Sequence, residues 1–535
     1  MKKLLLLIAG ITATTFLQAK VLYVKPDAGS TAWAHVTNQS DVYSSIGSAH
    51  NAAVAGDDIW ISAGAYNINS ITMKDGIDLM GGFNGTETSP SQRVKSDMDG
   101  NGMTEAWEYT NTSVIKGNGT QRIISSSGTY INGVTWEGLT IKNGGGSKSG
   151  IAILLMVNTN LKNCIVKDNH GTGATGSVYA GAIQNKGGLV EHCLIENNSI
   201  ISNDQSSPAV YGAGIACSKG GVVQNSVIRN NHSTVAVTAT FNNNYNNLKG
   251  GGVYLSWGQV INCVVYNNES GNGAGIYINK TAGGSKVVNC TITNNKALTI
   301  AGGLYAYNLG EIYNNIIWNN LAGDGTGDTN NINLYLTDGT TSAIKFNYNA
   351  YNGGYNGDAN NTASSPMKYI IDDANNGGSN PANFKTVTNF QGVANGNAAK
   401  QTEIAKTNWY LNDGSACVNQ GQNAYNNLST DIISNDRIRN ATIDLGAYET
   451  QFFATAINTV EKNNSDLFFP NPATNVLNIA SGVSMTEFYS VQGELVRKQP
   501  VTTPSINIAD LPSGIYIIRM TMNDGSAVIS KLLKR

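Results

Sequence analysis

Between residues 138 and 318, apolar and polar positions alternate in short bursts, and the bursts recur. Asn163-Cys164-Ile165-Val166, His192-Cys193-Leu194-Ile195, Asn262-Cys263-Val264-Val265 and Asn289-Cys290-Thr291-Ile292 are one phrase, each followed shortly by Asn. Gly138-Leu139-Thr140-Ile141, Asn225-Ser226-Val227-Ile228 and Asn314-Asn315-Ile316-Ile317 fill the same slot without cysteine, at spacings of about 25 to 37 residues. A second phrase interleaves with the first: Ala213-Gly214-Ile215, Gly251-Gly252-Val253-Tyr254, Ala274-Gly275-Ile276-Tyr277 and Gly302-Gly303-Leu304-Tyr305. Each turn of the repeat therefore holds several short strands cornered by Gly and Asn. That pattern predicts an all-β chain wound as a right-handed parallel β-helix, with coils stacked at about 4.8 Å.

Stacking turns equivalent residues into columns. Cysteine at one inward position becomes a buried column of small, soft side chains, and the Asn after each strand bonds along a corner where left-handed backbone suits it. The chain has six cysteines. Stacked free thiols are preferred over disulfides for the repeat, because neighbours in a ladder need the right torsion as well as proximity.

If Val253, Ile276 and Leu304 point inward, Tyr254, Tyr277 and Tyr305 point outward on successive coils. Such rings can stack on sugar faces, with Asn279 and Ser256 as polar neighbours, or simply pair across strands. The same parity places Lys142, Lys167, Glu196, Arg229, Tyr266, Thr293 and Trp318 in another outward column. Lys and Arg beside Glu can neutralise a uronate and remove its C5 proton, but alternating charges on a ladder more readily form ordinary ion pairs. His170, His192 and His232 stand alone in the sequence and announce no catalysis. Insertions after the Asn-Asn corner, at 170–179, 199–211 and 232–249, are expected to wall a groove beside the tyrosines.

The most specific chemical motif is Asp97-Met98-Asp99-Gly100-Asn101-Gly102-Met103-Thr104-Glu105-Ala106-Trp107-Glu108. Oxygen side chains at the first, third and fifth positions, Gly at the sixth and Glu at the twelfth match a calcium loop. Asp97, Asp99, Asn101, the Met103 carbonyl and Glu108 are the expected Ca²⁺ ligands. In an Asn- and Gly-rich chain the same letters also make an ordinary acidic turn.

Composition excludes some partners. A net charge of -2 with 13% charged residues leaves no basic excess to attract nucleic acid or anionic lipid. Residues 1–19, with Met1-Lys2-Lys3 before an apolar stretch and a small-residue exit at Ala19, read as an export signal peptide. No transmembrane segment is predicted downstream. Residues 452–465 read as a linker, and 466–535 as a small β-sandwich of alternating strands with Asn-Pro, Gln-Gly and Ser-Gly turns.

The last segment, with Phe469-Pro470-Asn471-Pro472-Ala473, Leu511-Pro512-Ser513-Gly514-Ile515-Tyr516 and the basic end Lys534-Arg535, resembles the C-terminal sorting domain of the type IX secretion system of Bacteroidetes. The resemblance implies contact with that machinery and delivery to the medium or the outer surface of a Gram-negative cell. Residues 20–451 resemble the pectate-lyase-like β-helix superfamily, and within it exported proteins ending in a choice-of-anchor module. Leu22-Tyr23-Val24-Lys25-Pro26 and Ala55-Gly56-Asp57-Asp58-Ile59-Trp60 look like the cap, and Gly414-Ser415-Ala416-Cys417 with Asp444-Leu445-Gly446-Ala447-Tyr448-Glu449 like the closing motifs. That scaffold carries lyases, hydrolases, adhesins and structural proteins. The expectation is a surface protein that binds extracellular polysaccharide or neighbouring cells, with a calcium-dependent polysaccharide lyase as the alternative.

Overall fold

The structure, a computed structural model, describes residues 19–451 and 467–535, except for 27–32, 129, 148, 175–176, 180, 204–208, 237–244, 280–283, 308, 324–333, 338–342, 352–354, 358–367, 371–381, 389, 492 and 524–525. The expected signal peptide lies outside the described residues apart from Ala19, and the expected linker lies wholly outside them. Two units divide at residues 451 and 452.

The first unit is a right-handed parallel β-helix. The seven slots of the first phrase pair in parallel, each with the next, so that Ile141, Val166, Ile195, Ile228, Val265, Ile292 and Ile317 form one fully buried inward column. Those strands belong to a sheet of eleven described strands running from Gly64–Asn67 to Lys368–Ile370. The second phrase also stacks in register, from Ile183 through Ile215, Val253 and Ile276 to Leu304. A third sheet follows the Asn-Asn corner and includes His170–Ala174, Ser199–Ser202, His232–Val235 and Glu269–Asn272.

The corners explain the Asn-Asn pairs. Asn197, Asn230, Asn267, Asn294 and Asn319 take positive φ between 50° and 55°, the left-handed turn that Asn tolerates. The next residue turns inward. Asn169, Asn198, Asn231, Asn268 and Asn295 each donate from Nδ2 to the Oδ1 of the next, ending on Asn320, at 2.9–3.0 Å, so the backbone bends inside the helix without stranding polar groups. At the other corner Cys164, Cys193, Cys263 and Cys290 are buried free thiols, as ladder geometry requires.

The amino end is closed by the helix Ile46–Ala52, which starts at Ser45, whose hydroxyl accepts from the Ser48 amide at 3.2 Å, and buries Ile46, Ala49 and His50. The carboxyl end differs from expectation. Residues 382–450 do not end the stack; they fold back over the outer face of the eleven-strand sheet. Gly446 donates to the Asn314 carbonyl, Ala447 to the Thr291 hydroxyl, and Asn262 reaches the Thr430 carbonyl. Trp409, Phe384, Leu411, Leu445 and Tyr448 from this roof bury the outer faces of Val264, Tyr266, Ile316 and Trp318. Apolar residues on both layers supply the reason, since either face alone would leave a large apolar patch in water.

The second unit is antiparallel. Strands Phe468–Phe469, Val476–Ile479 and Ser505–Asn507 form one sheet, and Leu495–Pro500, Val483–Tyr489, Gly514–Met522 and Ala527–Lys534 the other, around Leu477, Phe488, Ile518, Met520 and Leu532.

Candidate functional site

The calcium-like loop folds as a nest of carboxylates. Asp97 accepts the amides of Gly100 at 2.7 Å and Gly102 at 2.9 Å, while Glu108 accepts those of Met98 and Glu105 at 2.8 and 2.9 Å. Carboxylate oxygens of Asp97, Asp99 and Glu108 converge within 4.8 Å of one another. Asn101 sits in the loop with its Oδ1 on the Met103 amide at 2.8 Å and its Nδ2 on Glu105 at 2.7 Å. Glu105 is the residue the motif reading passed over. It is 5% exposed, and its Oε2 is buried without a hydrogen-bond partner. Burial and then Glu108 push its carboxyl up to about 9; burial raises Asp99 to about 6 against the pull of Arg229. Asp97, Asp99 and Glu108, exposed, half-buried and buried in turn, are a donor set that suits a hard divalent cation, and Glu105 nearby keeps an unpartnered oxygen.

The loop is tied to the coil and to the roof. Arg229 Nη1 reaches Asp99 at 3.2 Å, the Tyr266 hydroxyl at 2.9 Å and the Ala405 carbonyl at 3.4 Å, while its Nε holds Glu196 at 2.9 Å. Asn408 of the roof donates to the Asn101 carbonyl at 3.1 Å. Arg229, Tyr266, Thr293 and Trp318 are all buried, at 4% exposure or less. The outward column proposed for uronate chemistry is therefore an ion-pair ladder closed by the roof over these rungs.

The tyrosine column exists, with a correction. Tyr254 and Tyr277 point away from the lumen yet are only 3% and 4% exposed, so their faces are not open to a sugar. Ring faces stack on one another, Tyr254 on Tyr277 at 5.7 Å and Tyr277 on Tyr305 at 4.6 Å. The insertions supply the cover: Tyr211 lies 5.0 Å from Tyr254, and Lys249 Nζ sits 5.2 Å from the Tyr277 ring centre. Tyr305 and Asn279 are partly accessible, and Tyr307 and Trp257 are open at 39% and 47%. Trp257 holds φ 75°, unusual for a bulky residue, at the bend between the two halves of its strand.

The structure also gathers two histidines that looked solitary. His170, Ser199 and His232 are successive rungs of the third sheet, and His170 Nδ1 lies 2.7 Å from the Ser199 hydroxyl. Both imidazoles line a cavity of about 440 Å³ between the Asn corner and the roof turn at 393–396. The repeated Asn-His at 169–170 and 231–232 was the available signal, because it puts both rings on one column.

Residues 467–535 match the family model described as "Secretion system C-terminal sorting domain". The chain thus carries a type IX sorting domain and is delivered to the cell surface or the extracellular space. No curated protein matches the sequence. Among solved structures, it is similar to a pectate lyase, Pel9A, at 14% identity and TM-score 0.40 over 80% of this chain and 96% of that one. A family PL6 alginate lyase, AlyGC, is similar at 11% identity and TM-score 0.26, and the match spans 65% of this chain and about half of that one, 53%. Among the described residues no helix is long and apolar enough to cross a membrane.

Proposed function

We propose that this exported β-helix is a surface or secreted protein that binds extracellular polysaccharide without cleaving it, and that Ca²⁺ in the loop at 97–108 is structural. The observation that carries this reading is the roof over the charge column. A proton-abstracting base must reach substrate, and Arg229, with Glu196 beside it, is occupied by Asp99, Tyr266 and the Ala405 carbonyl. Tyr305, Asn279, Tyr307 and Trp257 offer the accessible aromatic and polar surface for sugar contact. Asp97, Asp99, Glu108 and Glu105, with Asn101 and the Met103 carbonyl, would hold the ion, which supplies positive charge to a cluster that otherwise repels itself.

Incubating the mature chain with pectate, alginate and other uronic-acid polysaccharides in calcium, and following unsaturated-product absorbance, tests the reading. Retention on the polysaccharide without product is expected; release of unsaturated oligosaccharides overturns it in favour of a lyase.

A further inference from the structure

We propose that the cavity beside His170 and His232 is a binding pocket for a neutral, hydroxyl-rich sugar unit. This rests on the reading that the protein binds glycan and assigns a second place where it does so. His170, Asn197, Asn230, His232, Asn395 and Gln401 line the cavity with Val393 and Gly396, and none of the eight is an acid, a lysine or an arginine. A charged ligand would find no counter-ion on those walls, whereas hydroxyl groups would find both donors and acceptors.

Three of the polar side chains, Asn197, Asn230 and His170, are held before any ligand arrives. Asn230 accepts the Ala394 amide at 2.7 Å and donates to Asn197 Oδ1 at 3.2 Å, and Asn197 donates to Asp168 at 2.5 Å. Ser199 holds His170 through Nδ1, which leaves the far side of that ring for a ligand. His232 is kept neutral near pH 7, its pKa lowered to about 4 by burial and then by His170. His170 and His232 stand two rungs apart on the sheet, with Ser199 between them. A volume of about 440 Å³ lies within the range of small-molecule pockets.

The opposite wall is a turn. Asn395 and Gly396 have φ 47° and 76°, and the Asn397 amide closes on the Ala394 carbonyl at 2.9 Å, the geometry for which Asn-Gly is selected. Gln401 follows one helical turn later on Ala398–Ala405.

The test is calorimetric titration of the mature chain at pH 7 with cello-, xylo- and manno-oligosaccharides, against oligogalacturonate and oligoalginate. Gln401→Ala removes an exposed side chain, and Asn395→Gly removes an amide while keeping the turn, so melting temperatures should not move. Binding of at least one neutral series is expected, weakened about tenfold in each variant. Neutral binding that is unchanged in both variants would overturn the pocket and leave the glycan reading standing. Binding of the acidic oligomers that both variants weaken would overturn its assignment to neutral sugar. No binding by either series would overturn both.

Discussion

The tyrosine column and the charge column are both outward faces of one coil stack, and both are largely closed to solvent by different means. The tyrosines cover one another, helped by Tyr211 and Lys249 from inserts on nearby coils. Arg229, Tyr266 and Trp318 are covered by a roof that begins some sixty residues beyond the last of them, at Ala382. Strand parity decides which side chains leave the lumen. What then covers them depends on distant sequence, and that is where binding and catalytic hypotheses are won or lost.

Arg229 is the point at which the comparison breaks most sharply. Arg229→Ala leaves Asp99 without its counter-ion, leaves Glu196 only the more distant Lys167 at 3.8 Å, and cuts the bonds to Tyr266 and the Ala405 carbonyl. Removing one partner of a buried ion pair costs about 3–5 kcal/mol. Denaturant unfolding should register that loss, and hydrogen exchange should rise in roof residues 398–411 before it rises in the coils. A cost below about 1 kcal/mol would mean that the roof is not pinned through this residue.

The tyrosine column should respond without involving the roof. Tyr277→Ala removes the middle ring of the stack and is expected to cost about 3 kcal/mol, whereas Tyr277→Phe keeps the ring and should cost little. Exchange at 398–411 is expected to stay unchanged in both. If Tyr277→Ala loosened the roof as well, the two faces would be one cooperative unit.

Much of this was legible because the repeat is local. The phrases at 138–318 announced the inward column, and the Asn after each strand announced the corner ladder. The sorting domain was written in continuous motifs. The roof was not legible, since residues 382–450 bury Trp409 and Tyr448 against partners far away in sequence, and no period marks such contacts. The tyrosines were read with the correct direction and the wrong exposure for the same reason: Tyr211 and Lys249 arrive from insertions whose path no alternation encodes. Glu105 escaped notice because the motif fixes the first, third, fifth and twelfth positions, while its desolvation depends on Trp107 and Met103 packing under the roof.

Calcium tests the anchor from the other side. At free Ca²⁺ about a hundredfold above its dissociation constant, binding to the folded form adds about 2.7 kcal/mol, so chelation should lower the melting temperature of the first unit. The double change Asp97→Ala and Asp99→Ala removes two carboxylates and should abolish that calcium-dependent shift. Because Asp99 also meets Arg229, the variant will start less stable, and the readout is the shift alone. A melting temperature indifferent to calcium and chelator in the unmodified chain would return the loop to an acidic turn.

A change of pH also separates the two covers. Glu449, buried in the roof, accepts the amides of Arg439 at 3.2 Å and Asp444 at 3.0 Å. Burial, then the Asp444 carboxylate, push it up to about 8 despite Arg437. An unfolded glutamate titrates near 4.3, so the native roof holds this proton over a range where the unfolded chain has lost it. Its contribution is full below about pH 4 and fades as pH rises through about 8, at no more than about 1.4 kcal/mol per pH unit. Hydrogen-exchange protection within 429–450, taken relative to the intrinsic exchange rate at each pH, should therefore fall from pH 5 to pH 9, and Glu449→Gln should flatten that dependence. The tyrosine column should stay level over the same interval, because ring stacking holds it and burial raises the Tyr277 hydroxyl above its ordinary value. A pH response shared equally by both faces, or one that Glu449→Gln leaves intact, would place the titrating group elsewhere.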